Sequence, residues 1–173
     1  VETCERSPEF AWAVNVEGTR ALVEHAPAAT RIVHCSSDHV FGGDYGPYRE
    51  DSPTAPISVY GRTRVAAERL VLARANTVVV RAGLWIGPSA TGRIGHLDWL
   101  RHRQRRGLPM TVVSDEHRSA VWAEDGARRV LAIARSDLTG VRHVTATRAV
   151  SRPELADYLV RRFDLGARFA VET

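Results

Sequence analysis

Lysine is absent from this 173-residue chain; all 24 basic residues are arginine. A bias this uniform reflects coding composition and cannot by itself mark a phosphate site, although the guanidinium fork binds phosphate well. Cysteine is scarce. Cys4 and Cys35 are too few for a disulfide framework, so a reduced, cytoplasmic protein is expected. No apolar run approaches the roughly 20 residues a membrane-spanning helix needs, so no membrane partner is expected. Seven histidines are present, none at metal-ligand spacing, and no metal is expected. Net charge is only +4. The one basic run, Arg101-His102-Arg103-Gln104-Arg105-Arg106, reads as a solvated helix end whose cations suit the C-terminal dipole, not as a nucleic-acid surface. A secretory signal is missing, and the chain starts at Val1 instead of Met, which suggests a processed or truncated product.

What the chain does have is alternation of short apolar runs with helical patterns, the mark of an α/β domain. Ser7-Pro8-Glu9 opens a helix, with Ser7 as its cap, that carries Ala11, Val14, Gly18, Ala21 and Leu22. Arg31 to Cys35 reads as a buried strand, and 42–57 as a loop rich in glycine and proline. Ser58 to about Ala75 is a helix, and Thr77 to Arg81 a β-branched strand. Gly83 to Gly95 is expected to be loop and His96 to Arg106 helix. A small strand at Thr111–Val113, a helix over Trp122–Ala134 and a strand over Val141–Thr145 follow. Ser151-Arg152-Pro153-Glu154 forms a capping box before a last helix carrying Leu155, Leu159 and Phe163. Nothing resembles a linker. Residues 1–83 read as one part and 84–173 as a substrate-side lobe intertwined with it.

The chemistry gathers after the first strand. Ser36 and Ser37 put hydroxyls at a strand end, where open parallel sheets bind ligands. Tyr60 and Arg64 lie four apart, on one face of a helix. A phenol beside a fixed cation has its ionised form stabilised and can exchange a proton with a carbonyl or alcohol oxygen. A serine hydroxyl can hold that same oxygen. The residues therefore suggest proton transfer at a substrate oxygen, coupled to hydride transfer if a nicotinamide is present.

Several segments in order carry a resemblance. They are Val1-Glu2-Thr3-Cys4-Glu5 with Val14-Asn15-Val16-Glu17-Gly18-Thr19, Ser36-Ser37-Asp38-His39-Val40-Phe41, Tyr48-Arg49-Glu50-Asp51-Ser52-Pro53, Tyr60-Gly61-Arg62-Thr63-Arg64, Val80 to Pro88, and Asp115 to Asp125. Together they resemble the extended short-chain dehydrogenase/reductases of the dTDP-4-dehydrorhamnose reductase type. The resemblance implies an incomplete Rossmann-like parallel sheet with a small substrate-side lobe, NADP or NAD as cofactor, and a nucleotide-sugar substrate with a 4-keto group. It implies Ser37 as the hydroxyl that orients the substrate oxygen and Tyr60 as the proton donor. Arg64 stands where the family has the lysine that binds the nicotinamide ribose. Ser36, Tyr60, Arg64, Ala82 and Gly83 would face the cofactor. Asp38, Val40, Phe41, Trp85 and Arg118 would face the substrate. Asn15 would be a structural hydrogen-bonding residue, and Arg81 a buried ion-pair residue.

The resemblance also exposes two departures. The family's glycine-rich phosphate loop has no counterpart here, so the sheet is expected to expose an edge for a missing N-terminal segment or a partner chain. Arginine for lysine at position 64 keeps the charge but not the compact ammonium geometry. A second reading follows from these departures: a non-catalytic protein on the same fold, as in the regulatory subunits of methionine adenosyltransferase.

Overall fold

The computed structural model describes residues 1–44, 46–89, 95–166 and 169–172. The chain divides into two compact units, residues 1–82 with 128–144, and residues 83–127 with 145–173.

The first unit is built on three parallel strands, β1 (Ile32–Ser37), β2 (Thr77–Ala82) and β7 (Gly140–Val144), in the order β1-β2-β7. Their register aligns Ser37 with Ala82 and Ala82 with Val144, so the C-terminal ends of all three strands form one edge. β2 is buried from Thr77 to Arg81, as its β-branched run demands. Helix α4 (Val59–Leu72) packs on β1 and β2. Val71, itself fully buried, forms a cluster with Ile32 and Val79.

The single N-terminal helix expected from Ser7 is instead segmented. α1 (Glu2–Arg6) and α2 (Pro8–Trp12) flank Ser7, which is extended and makes no side-chain cap bond. A π-helical turn over Ala13–Glu17 then leads into α3 (Gly18–His25). The turn carries Asn15, whose Nδ2 donates to Thr63 Oγ1 on α4 at 3.0 Å, the structural role expected of it.

The second unit holds β3 (Leu84–Ile86), α5 (His96–Arg105), β4 (Thr111–Val113), β5 (His117–Arg118), β6 (Ala120–Trp122), the first turn of α6 (Ala123–Ala134), β8 (Val150–Ser151), α7 (Arg152–Arg162) and β9 (Ala170–Glu172). β3 corrects the expected loop: the apolar Leu-Trp-Ile run pairs in parallel with β6. Residues 90–94 of that expected loop lie outside the described residues. β4 pairs with β9 and β5 with β8, and two- or three-residue strands are too short to show a period. Leu97, Leu100, Met110, Leu155 and Leu159 form the core of this unit. Half of the expected capping box exists. Ser151 Oγ accepts from the Glu154 N–H at 3.2 Å, but the Glu154 carboxylate pairs with Arg148 at 2.6 Å. No helix among the described residues is long and apolar enough to cross a membrane.

Candidate active site

β1 ends at Ser37 and the chain turns at once through one 3₁₀ turn, Asp38–Val40. The Ser37 hydroxyl shapes that turn: it accepts from the His39 N–H at 3.3 Å and lies 3.2 Å from Asp38 Oδ1.

The start of α4 is pinned against this turn. Ser58 Oγ accepts from the Gly61 N–H at 3.0 Å, and the Glu5 carboxylate accepts from the Val59 N–H at 2.6 Å, so two orphan donors of the first helical turn are satisfied. A Cβ on Gly61 would lie 2.2 Å from the His39 carbonyl oxygen and 2.8 Å from Pro56 Cβ. Only glycine permits this approach, and it brings the start of α4, with Tyr60, against the turn that follows β1.

Tyr60 is half-buried, with the His39 ring edge-on at 5.6 Å between centroids and 80° between planes. His39 thus joins the two predicted residues: its N–H meets Ser37 and its ring meets Tyr60. One turn further on, the Arg64 guanidinium carbon lies 5.8 Å from the Tyr60 ring centroid. Arg64 Nη2 donates to the Cys35 carbonyl and sits 3.3 Å from His34 Nε2. Arg64 Nε is buried and has no partner among the described residues, and neither has the buried Ser36 hydroxyl. Burial, and next the Arg64 charge, lower the His34 pKa from 6.5 to about 4.

Ser37, Tyr60 and Arg64 are therefore gathered in one unit at the sheet's C-terminal edge, with Ala82 in register beside Ser37. Other predicted residues fall elsewhere. Val40 is fully buried, and Phe41 stacks on Tyr48 at 4.3 Å, so both serve the core and are not open to substrate. Arg81 forms the expected ion pair, donating to Glu68 at 2.8 Å with both side chains buried. In the second unit, Gly83 approaches the Ser119 carbonyl so closely that a Cβ would meet it at 2.3 Å. Trp85 has a buried Nε1 with no partner among the described residues. Arg118, expected to face the substrate, donates Nη1 to Glu116 at 3.1 Å; the same carboxylate holds Arg152 at 2.7 Å.

Sequence reasoning gave no role to His34, His39, Glu5 or Glu50, although the last three lie in segments that carry the resemblance. Strand alternation offered a signal for His34, which shares the Ile32–Ser36 face of β1 that α4 covers. Glu50 carried none. Its carboxylate accepts from the His143 N–H at 2.8 Å and pairs with Arg142 at 3.5 Å, fastening the loop to β7. A depression of about 680 Å³ lies there, lined by Arg49, Glu50, Asp51 and residues 141–143. None of Ser37, Tyr60 and Arg64 lines it.

Comparison with known proteins agrees with this frame. The chain is 34% identical over 168 residues to a probable dTDP-4,6-dihydroxy-2-methyloxan-3-one 4-ketoreductase of Streptomyces antibioticus, covering 95% of this chain and 56% of that protein. It is 35% identical over 144 residues to a dTDP-4-dehydrorhamnose reductase of Streptomyces griseus, covering 81% and 46%. It thus spans about half the length of these curated relatives. The fold is that of the Bacillus anthracis dTDP-4-dehydrorhamnose reductase crystallised with NADP, at TM-score 0.91 and 22% identity, covering 100% of this chain and 62% of that one. The RmlD substrate binding domain model matches residues 1–170, and the chain belongs to that family.

Proposed function

We propose that this chain carries the proton-transfer side of an NADP- or NAD-dependent reductase acting on a nucleotide-linked 4-keto sugar. One observation supports the reading: His39 links Ser37 and Tyr60, its N–H on the serine hydroxyl and its ring edge-on to the phenol, with the Arg64 guanidinium 5.8 Å from that phenol ring. The relatives' names add the substrate class, since two of them are reductases of dTDP-linked sugars.

The donor chemistry fits a nicotinamide cofactor. The unpartnered Arg64 Nε and Ser36 hydroxyl are groups a ribose or amide could satisfy, and an unmet buried donor costs about 1–3 kcal/mol. Tyr60 and Arg64 would hold the nicotinamide ribose, with Ser36 and Ala82 beside it. When bound, the nicotinamide supplies a hydride to the carbonyl carbon. Ser37 orients the carbonyl oxygen, and Tyr60 gives that oxygen its phenolic proton, so the ketone becomes an alcohol. Arg64 holds positive charge next to the phenolate left behind. Asp38, in the turn directly after Ser37, is the substrate contact carried forward.

NADPH or NADH consumption with a dTDP-4-keto-6-deoxy sugar tests this. Tyr60→Phe is expected to lower kcat at least ~10²-fold and to leave cofactor affinity within a few-fold. Full turnover in Tyr60→Phe would overturn the assignment. Cofactor binding by the wild type without turnover would favour the non-catalytic reading instead.

A further inference from the structure

Arginine at position 64 brings more donors than the site can use unless something absorbs the surplus. A guanidinium carries five N–H groups and an ammonium three. Arg64 Nη2 lies against two acceptors on β1, the Cys35 carbonyl and His34 Nε2, the latter at 3.3 Å. Arginine has no lone pair to offer, so His34 Nε2 must accept, and the imidazole must carry its proton on Nδ1. Both Nη2 hydrogens are then spent on the strand. Nε and Nη1 are left with three N–H groups, as many as lysine would present, on a guanidinium centred 5.8 Å from the Tyr60 ring. Of these, Nε is buried and unpartnered among the described residues.

We propose that His34 is the positioning residue for Arg64: its neutral ring holds one end of the guanidinium on β1, so that the remaining N–H groups stand beside Tyr60 in place of a lysine ammonium. The proposal rests on the reductase reading only for what those groups then bind. A lysine has a single nitrogen and would leave His34 with nothing to position, so the need for His34 follows from arginine. Burial and the neighbouring Arg64 charge lower the His34 pKa, against the opposing pull of Glu68, and keep the ring neutral near pH 7.

Two measurements test this. Long-range ¹H–¹⁵N correlation of the His34 ring at pH 7 is expected to show a protonated Nδ1 and a bare Nε2. A protonated Nε2 would overturn the proposal, whatever the enzyme does. NADPH titration supplies the second arm. With Arg64 in place, His34→Leu is expected to weaken binding about tenfold, and His34→Gln, whose amide oxygen still accepts, to recover most of that loss. In an Arg64→Lys background the same His34→Leu change is expected to add less than about twofold. Equal losses in both backgrounds would show that His34 acts only through packing. If the wild type binds no NADPH, the reductase reading fails, and the ring tautomer alone decides the proposal. If His34→Leu does not fold, His34→Gln and the tautomer still do so.

Discussion

At the scale of single residues, the arginines of this lysine-free chain do much of the structural work. Arg74 Nη1 donates to the Val23 and Ala26 carbonyls, both at 2.9 Å, at the end of α3. Arg31 does the same for α6, reaching the Ile133, Ala134 and Leu138 carbonyls. A planar fork with several donors can serve several carbonyls, which a lysine cannot do as rigidly. Arg81 grips the Glu68 carboxylate through Nε and Nη2, the buried bidentate geometry that suits arginine. His34 gives these residues a pH consequence. Its pKa is about 4 in the folded chain and about 6.5 when unfolded. Between those values the unfolded chain binds a proton that the folded chain does not, so stability falls as pH drops from about 6.5 to about 4. Glu116, held below the usual carboxylate range by Arg152 and Arg118 despite its burial, loses its contribution at lower pH still. Urea unfolding midpoints measured across that range check this. His34→Gln is expected to flatten the upper part of the curve, and an unchanged slope would show that other groups govern it.

At the scale of elements, the decisive contact is α4 against the 3₁₀ turn. Glycine to alanine inside a helix ordinarily stabilises by about 1 kcal/mol. At Gly61 the sign reverses, because the added Cβ would lie 2.2 Å from a backbone oxygen that no rotamer change can move. Gly61→Ala is expected to cost about 1–3 kcal/mol, the range for overpacking. It should also lower any turnover, since the start of α4 must move and Tyr60 moves with it. Urea unfolding with and without the substitution measures the first effect. A neutral or stabilising result would mean that the turn yields easily. The helix start was legible at Ser58, a residue type that caps helix N-termini well. The second cap was not, because Glu5 is 54 residues from Val59 in the chain.

At the scale of the whole molecule, each of the two units has its own core. That of residues 83–127 and 145–173 is small and rich in leucine, centred on Leu97, Leu100, Leu155 and Leu159. Leu159 is 1% exposed, so Leu159→Ala is expected to cost about 2–5 kcal/mol. Amide hydrogen exchange should speed up in α5, α7 and β4 in that variant. Exchange unchanged in those elements would contradict the placement of Leu159 at the centre of this core.

The amino-acid order alone determined the α/β class, the parallel strands β1, β2 and β7, most helices, and the serine, tyrosine and arginine on which the functional reading rests. Those signals are local: periodicity, β-branched runs, caps and motif spacing. Only the tertiary structure decided what Arg64 holds, that Val40 and Phe41 belong to the core, that Arg152 shares the Glu116 carboxylate with Arg118, and that Leu84–Ile86 is a strand. Each of these depends on a partner distant in sequence, or on how completely a side chain is enclosed. Neither is encoded in the residue's own neighbourhood.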